Sequence, residues 1–104
     1  MIKICKIKKI AQPRTIEVTR LNGQAGTMLV IGLVLSMGGQ ELFAEILGDQ
    51  AEAFAKEFIG AETVLSVSLS FKCREGTNKD GEQSYGTSVR IDGYTVIEKV
   101  EGAF

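Results

Sequence analysis

The chain has no histidine and no tryptophan, one proline and two cysteines among its 104 residues. Without histidine it lacks the commonest general base and the commonest metal ligand. Cys5 and Cys73 lie far apart with no CxxC pair, which argues against a zinc site. Both are read as reduced thiols packed as small hydrophobes. No run is long enough to span a bilayer: the most apolar, "TMLVIGLVL", is about half of the ~20 residues required. The start, "MIKICKIKKI", is interrupted by lysines and has neither an apolar core nor a cleavage site of the kind a signal peptide carries. The expectation is a cytoplasmic protein with no membrane association. A surplus of charge of one sign is also missing. The net charge is −1, so the total carries no basic signature of a nucleic-acid binder. What is present is enough for a core: 44% apolar and 24% charged residues describe one folded domain, residues 1–104.

Alternation then marks the strands. Ile2 to Ile10 alternates isoleucine with lysine, with a phase slip between Ile4 and Ile7 that suggests a bulge. Pro13 interrupts, and "RTIEVTRL" resumes, so a long first strand broken by a bend is expected. "NGQAG", residues 22–26, is a turn signal. Met28 to Met37 is continuously apolar and reads as a strand buried on both faces, with Gly32 marking a bend or a close approach. Gly38-Gly39 centres a hairpin. In "ELFAEIL", Leu42, Ala44 and Ile46 share one face and Glu41, Phe43, Glu45 and Leu47 the other.

The helix signal follows. Asp49 as N-cap and Glu52 three residues on resemble a capping box. Ala51, Phe54, Ala55, Phe58 and Ile59 make one apolar stripe, which assigns Phe54 and Phe58 to the core. Gly60 stands where a C′ glycine belongs. The helix is about ten residues, roughly 15 Å. Beyond it, "TVLSVSLSFKC" puts Leu65, Val67, Leu69, Phe71 and Cys73 inward and the serines outward. "REGTNKDGEQS" reads as a polar loop at a hairpin, and "YGTSVRIDGYTVIEKV" as the last strand, with a bulge at Gly93.

A strand, glycine, helix order also fits a phosphate-binding turn. Here Asp49 and Glu52 fill the helix N-terminus with negative charge, where an anion site needs free N–H groups. No GxxxxGK[ST] or GxGxxG occurs. One short helix cannot cover both faces of a parallel sheet, whereas a sheet closed on itself has no edges to cover. The fold class expected is all-β, a five-stranded OB-fold barrel with one helix between strands 3 and 4.

The segment "LFAEILGDQAEAFAKEFIGAETVLSVSLSF" resembles the centre of the bacterial single-stranded DNA-binding protein family. Ile46-Leu47-Gly48 matches its strand-ending glycine, Ala51-Glu52 its helix "xxAExxxxxL", and Val64 to Val67 its strand "VLVEGxL". "LNGQAGTMLVIGLVL" is similar to the family's "xNGxxVxxFxLA", and "YGTSVRIDGYTVIE" to its "YxTEVVADxVxFL". The resemblance covers roughly residues 14 to 98. It implies a non-catalytic OB-fold that binds single-stranded DNA or RNA with low sequence preference. The continuous apolar second strand and the serine-lined fourth strand offer pairing surfaces for a homo-oligomer, dimer or tetramer, and no cofactor or metal is expected. The chain departs from the family at its stacking aromatics. Leu47 stands where the family has an aromatic, and Glu41 where it has a tryptophan.

Single-strand binding needs a basic groove and aromatic platforms. Charge is segregated along the chain. Residues 1 to 20 hold Lys3, Lys6, Lys8, Lys9, Arg14 and Arg20 against Glu17, and residues 40 to 62 are acidic. The candidate nucleic-acid-binding residues are Lys6, Lys8, Lys9, Arg14 and Arg20, then Lys72, Arg74 and Lys79 around the polar hairpin, and Arg90 on the last strand. Phe43 and Tyr85 are the candidate platforms. The rival reading is an OB module for protein interaction that binds no nucleic acid, favoured by Glu41, Glu45 and the missing aromatics.

Overall fold

The computed structural model describes residues 1–19, 21–77 and 79–101. In chain order the elements are β1 (Ile2–Ile10), β2 (Arg14–Thr19), β3 (Ala25–Met37), β4 (Gln40–Leu47), α1 (Asp49–Lys56), β5 (Val64–Thr77) and β6 (Gln83–Glu98). Five strands close on themselves in the order β1-β5-β6-β4-β3, with β3 pairing back onto β1. β2 continues the path of β1 along β3. All ladders are antiparallel except β4–β6, a parallel contact at Glu45 and Arg90 that completes the ring. Closure removes the exposed edges that an open sheet of this size would present.

The expected break in the first strand lies at Ala11–Pro13, between β1 and β2. The Ala11 N–H still donates to the Gly32 carbonyl at 2.9 Å, so the chain stays on β3 through the bend. The bulge falls later than the alternation suggested, between Ile7 and Lys9. Cys5 and Ile7 are the inward pair, while Ile2 and Ile4 point outward with the lysines. What looks like a phase slip in the sequence is therefore a change in which face carries the isoleucines.

The interior is filled by Ile7, Ile31, Leu33, Leu35, Ile46, Leu65 and Val67, all fully buried; each such side chain contributes about 1.5–3 kcal/mol of burial. β3 is covered on its second face as well: Val30 and Gly32 are buried. Met37 pairs with Gln40 around a two-residue turn. Gly38 and Gly39 both take positive φ, 55° and 85°, the conformation of a type I′ hairpin.

α1 closes one end of the ring through Ala51 and Phe54. The Phe54 ring meets Tyr94 of β6 edge to face, centroids 5.6 Å apart. The helix has eight residues rather than ten, and both expected caps are replaced. Gly48 is the N-cap, with no side-chain cap bond. Its φ of 66° and ψ of −134° form a corner that favours glycine. Asp49 and Glu52 sit in the first turn, where they complement the helix dipole. At the other end Phe58, not Gly60, takes the left-handed conformation (φ 52°). That early exit rotates Phe58 out of the apolar stripe, and it is 63% exposed instead of core. Ile59 then drops back into the interior.

Thr63 is the single buried polar side chain among the described residues. Its hydroxyl donates to the Val100 carbonyl at 3.0 Å and accepts from the Val100 N–H at 2.9 Å. Its carbonyl accepts from the Ile7 N–H. This residue ties β1 to the segment after β6.

The segment read as a polar hairpin loop is mostly ladder. β5 and β6 remain paired out to Thr77 and Gln83. Inward burial stops at Leu69, so this two-stranded arm projects beyond the ring. Phe71 and Cys73, expected inside, lie on the arm and are exposed. Cys5 is buried as expected, and burial pushes its thiol pKa up. The bulge expected at Gly93 is present: Ser68 faces Gly93 and the next residue, Leu69, faces Ile91.

Candidate functional site

Where the arm leaves the ring, its base and the outer face of β2, β3 and β4 enclose a groove. The main compartment, about 500 Å³, has Ile16, Val30 and Leu47 as apolar lining, with Arg14, Lys72 and Arg90 around them. A second compartment of about 320 Å³ is lined by Leu42, Phe43, Phe71, Arg74 and Thr87. Glu45, Ser88 and Val89 line both, so the two adjoin.

Pleat and register explain why these side chains meet. Arg14 pairs with Val30 and Val30 with Leu47, so Arg14, Val30 and Leu47 share the outer face. Glu45 stands opposite Gly32 on β3 and beside Arg90 on β6. Lys72 faces Ser88 and Phe71 faces Val89 on the arm.

Gly32 has a specific role here. A Cβ at this position would lie 2.6 Å from Cζ and 2.7 Å from Cε2 of Phe43. The tip of the Phe43 ring rests in the space glycine leaves, and Phe43 as a whole is 54% exposed. The close approach expected of Gly32 is thus to a ring and not to backbone. Phe71 is the second aromatic of the groove, 49% exposed. Sequence reasoning missed it, because strict alternation from Leu65 continues through it. The signal that was available is the change after Leu69 from serines to Lys72, Arg74 and Glu75, charges that mark where the ring ends.

The lining holds four basic side chains, Arg14, Lys72, Arg74 and Arg90, against one acid, Glu45. Arg14 Nη2 donates to Glu45 Oε2 at 2.5 Å. Arg90 Nε donates to Asp92 at 3.1 Å, and Ser70 donates to the same carboxylate oxygen. Arg74 reaches Ser88 Oγ at 3.5 Å. Lys72 has no ion pair among the described residues. Glu41, further along β4, accepts from Lys8 Nζ. Both acids that favoured the rival reading are therefore matched by a cation on the same face.

The structure divides the expected residues. It brings Arg14, Phe43, Lys72, Arg74 and Arg90 into the groove. Lys8 pairs with Glu41, and neither lines the groove. Lys6 pairs with Glu62 at 3.5 Å, and neither it nor Lys9 lines the groove. Tyr85 sits out on the arm, exposed, opposite Glu75, with its hydroxyl donating to Gln83. As a candidate platform it therefore lies away from the groove, whose lining does not include it. Lys79 is exposed in the turn at the arm's tip. Arg20 lies outside the described residues.

No protein-family model and no curated protein matches the chain. Solved structures do. The mitochondrial single-stranded DNA binding protein Rim1 of S. cerevisiae superposes with a TM-score of 0.62 at 9% identity, over 97% of this chain and 95% of that one. A second crystal structure of Rim1, with selenomethionine, gives 0.58 at 14% identity, covering 96% and 95%. The second OB-fold domain of replication protein A from Methanococcus maripaludis gives 0.57 at 13% identity, covering 95% and 84%. The fold is the OB-fold. In the OB-fold, β3 and β4 of this chain are the second and third strands, because β1 and β2 together make the first. The β2–β3 turn and the β5–β6 arm are the two loops that flank that face. In the first of these, the Gln24 N–H donates to Asn22 Oδ1 and Gly23 takes φ 83°, an Asx-type turn. Among the described residues, no helix is long and apolar enough to cross a membrane, and no cluster of three or more acidic, cysteine or histidine side chains is placed to hold a metal.

Proposed function

We propose that this chain is a non-catalytic OB-fold module that binds single-stranded DNA or RNA along the groove, with low sequence preference. One observation carries the reading: the groove presents four basic side chains against one acid in a protein whose net charge is −1. Local concentration of positive charge on one face is what a phosphate backbone requires, whatever the total. The position supports the reading too, since the second and third strands and their flanking loops are where OB-folds take oligonucleotides. Phe43 and Phe71 supply the stacking surfaces, each worth about 1–3 kcal/mol per base. They replace the family aromatics that Glu41 and Leu47 displace. Arg14 is held by Glu45 in a partly exposed pair, an interaction worth about 0–1 kcal/mol, so it can exchange to a phosphate at small cost.

Self-association is part of the proposal, with dimer and tetramer both compatible. The continuous apolar strand β3 is not the pairing surface expected of it, because β1, β2 and β4 already occupy both its edges. The serine-bearing face of β5 remains. Ile2 pairs with Ser68 and Ile4 with Ser66, and both isoleucines are exposed, making a partly apolar surface suited to a second copy. The reading is tested by fluorescence polarisation of labelled oligo-dT at low and high salt. Binding at low salt that weakens as salt rises is expected. Absence of binding at low salt sinks it and leaves the protein-interaction module.

A further inference from the structure

Glu45 is the one acid lining a groove of basic side chains. Its side chain is 26% exposed. Oε2 accepts from Arg14, and Oε1 has no hydrogen-bond partner among the described residues. A carboxylate in this place opposes phosphate binding, so what it can accept matters. The N–H donors of a single strand are on its base edges. Guanine presents N1–H and N2–H₂ side by side, matching the two acceptor sites of a carboxylate. Adenine and cytosine place one amino group next to a ring-nitrogen acceptor. Thymine and uracil place one imino N–H between two carbonyls, which repel the carboxylate. Phe43 and Phe71 line the same compartment as Glu45, so a base stacked on either ring has Glu45 within the same space to meet its edge.

Resting on the proposed single-strand binding, we infer that Glu45 makes the groove select guanine over thymine at one base position. It is a specificity-determining residue within an otherwise permissive site. Phosphate contacts set the overall affinity and carry no sequence information, while one bidentate base contact is worth at least about fivefold in discrimination.

The test compares three labelled strands: oligo-dT, the same strand with isolated dG substitutions, and the same with inosine at those positions, which removes N2–H₂ alone. The wild-type chain is expected to bind the dG strand at least about fivefold more tightly than oligo-dT, with the inosine strand between them. In Glu45→Gln, oligo-dT binds more tightly, because a negative charge leaves the groove, and the dG advantage disappears. Equal affinity of wild type for all three strands overturns the inference. So does a dG advantage that survives in Glu45→Gln, or an equal loss for every strand, which would mean that Glu45 only holds Arg14. Failure of every strand to bind at low salt defeats the underlying reading as well. The inosine comparison uses wild type only, so it stands if the variant does not fold.

Discussion

Gly32→Ala separates the stability of the ring of strands from the function of its outer face. The new Cβ would lie 2.6 Å and 2.7 Å from two tip atoms of Phe43 and 3.4 Å from the Ala11 Cβ. The Phe43 tip must retreat by about 1 Å to reach an ordinary carbon–carbon separation. Phe43 is 54% exposed, so its ring has solvent to move into. If the ring left its seat completely, roughly 100 Å² of apolar contact would be lost, or ~2.5 kcal/mol. A shift of the tip forfeits a fraction of that, and removing a strand glycine returns about 0.5 kcal/mol. Stability in urea should therefore stay within about 1 kcal/mol of wild type. Affinity for oligo-dT should fall by about fivefold or more, the low end for one stacked base, because the platform is displaced. Phe43→Ala should lose at least as much. A fall in stability of ~3 kcal/mol would show that Phe43 cannot yield. Unchanged affinity in both variants would remove Phe43 from the site.

Tyr94 gives a pH signature. Burial first, then the charge of Glu57 and the hydrogen bond to it, push the phenol up from 10 to about 12. The folded state thus keeps a proton that the unfolded chain releases sooner. The stabilisation is complete below pH 10 and is lost as pH rises to about 12. Wild type should lose more stability than Tyr94→Phe across that window in denaturant titrations; parallel curves would contradict the assigned environment. Thr63→Val removes both hydrogen bonds to Val100 and should cost about 1–3 kcal/mol, seen as a lower midpoint in urea; no change would mean that the segment after β6 is not tied there. Phe58→Gly relieves a left-handed residue whose ring is largely exposed. It should raise stability by up to about 1 kcal/mol, whereas a loss of that size would show that the ring is packed.

Much of the ring was legible in the sequence because period-two alternation and turn chemistry agree. Gly38-Gly39 reads as a hairpin and is one, and Leu42, Ala44 and Ile46 point inward as their spacing requires. The helix was legible in place but not in extent. Its stripe continues through Phe58, and only the backbone shows that the chain leaves the helix there. Asp49 has the chemistry of an N-cap, yet the corner needs the φ of Gly48, and that requirement displaces the helix start by one position. Alternation also cannot say where a strand stops being part of the ring. Leu69 and Phe71 share a face, but one is core and the other a groove wall. Of the candidate site, Arg14, Phe43, Lys72, Arg74 and Arg90 are expected from charge and exposure of type, and the structure places them along one groove. Their convergence depends on the parallel contact between β4 and β6, which no local pattern encodes. The pairing of Glu41 with Lys8 and Glu45 with Arg14 spans more than thirty residues in each case, so the acids read from sequence as an obstacle.

The most direct test of the groove is the salt dependence of oligo-dT affinity, measured for wild type and for Lys72→Ala/Arg74→Ala. For wild type, log affinity should fall linearly with log salt, with a slope of about −0.7 per phosphate neutralised on a single strand. The double variant should bind more weakly, with a slope shallower by about 1.4. A wild-type affinity indifferent to salt, or a variant that keeps both affinity and slope, would contradict the claim that this groove holds a nucleic-acid backbone.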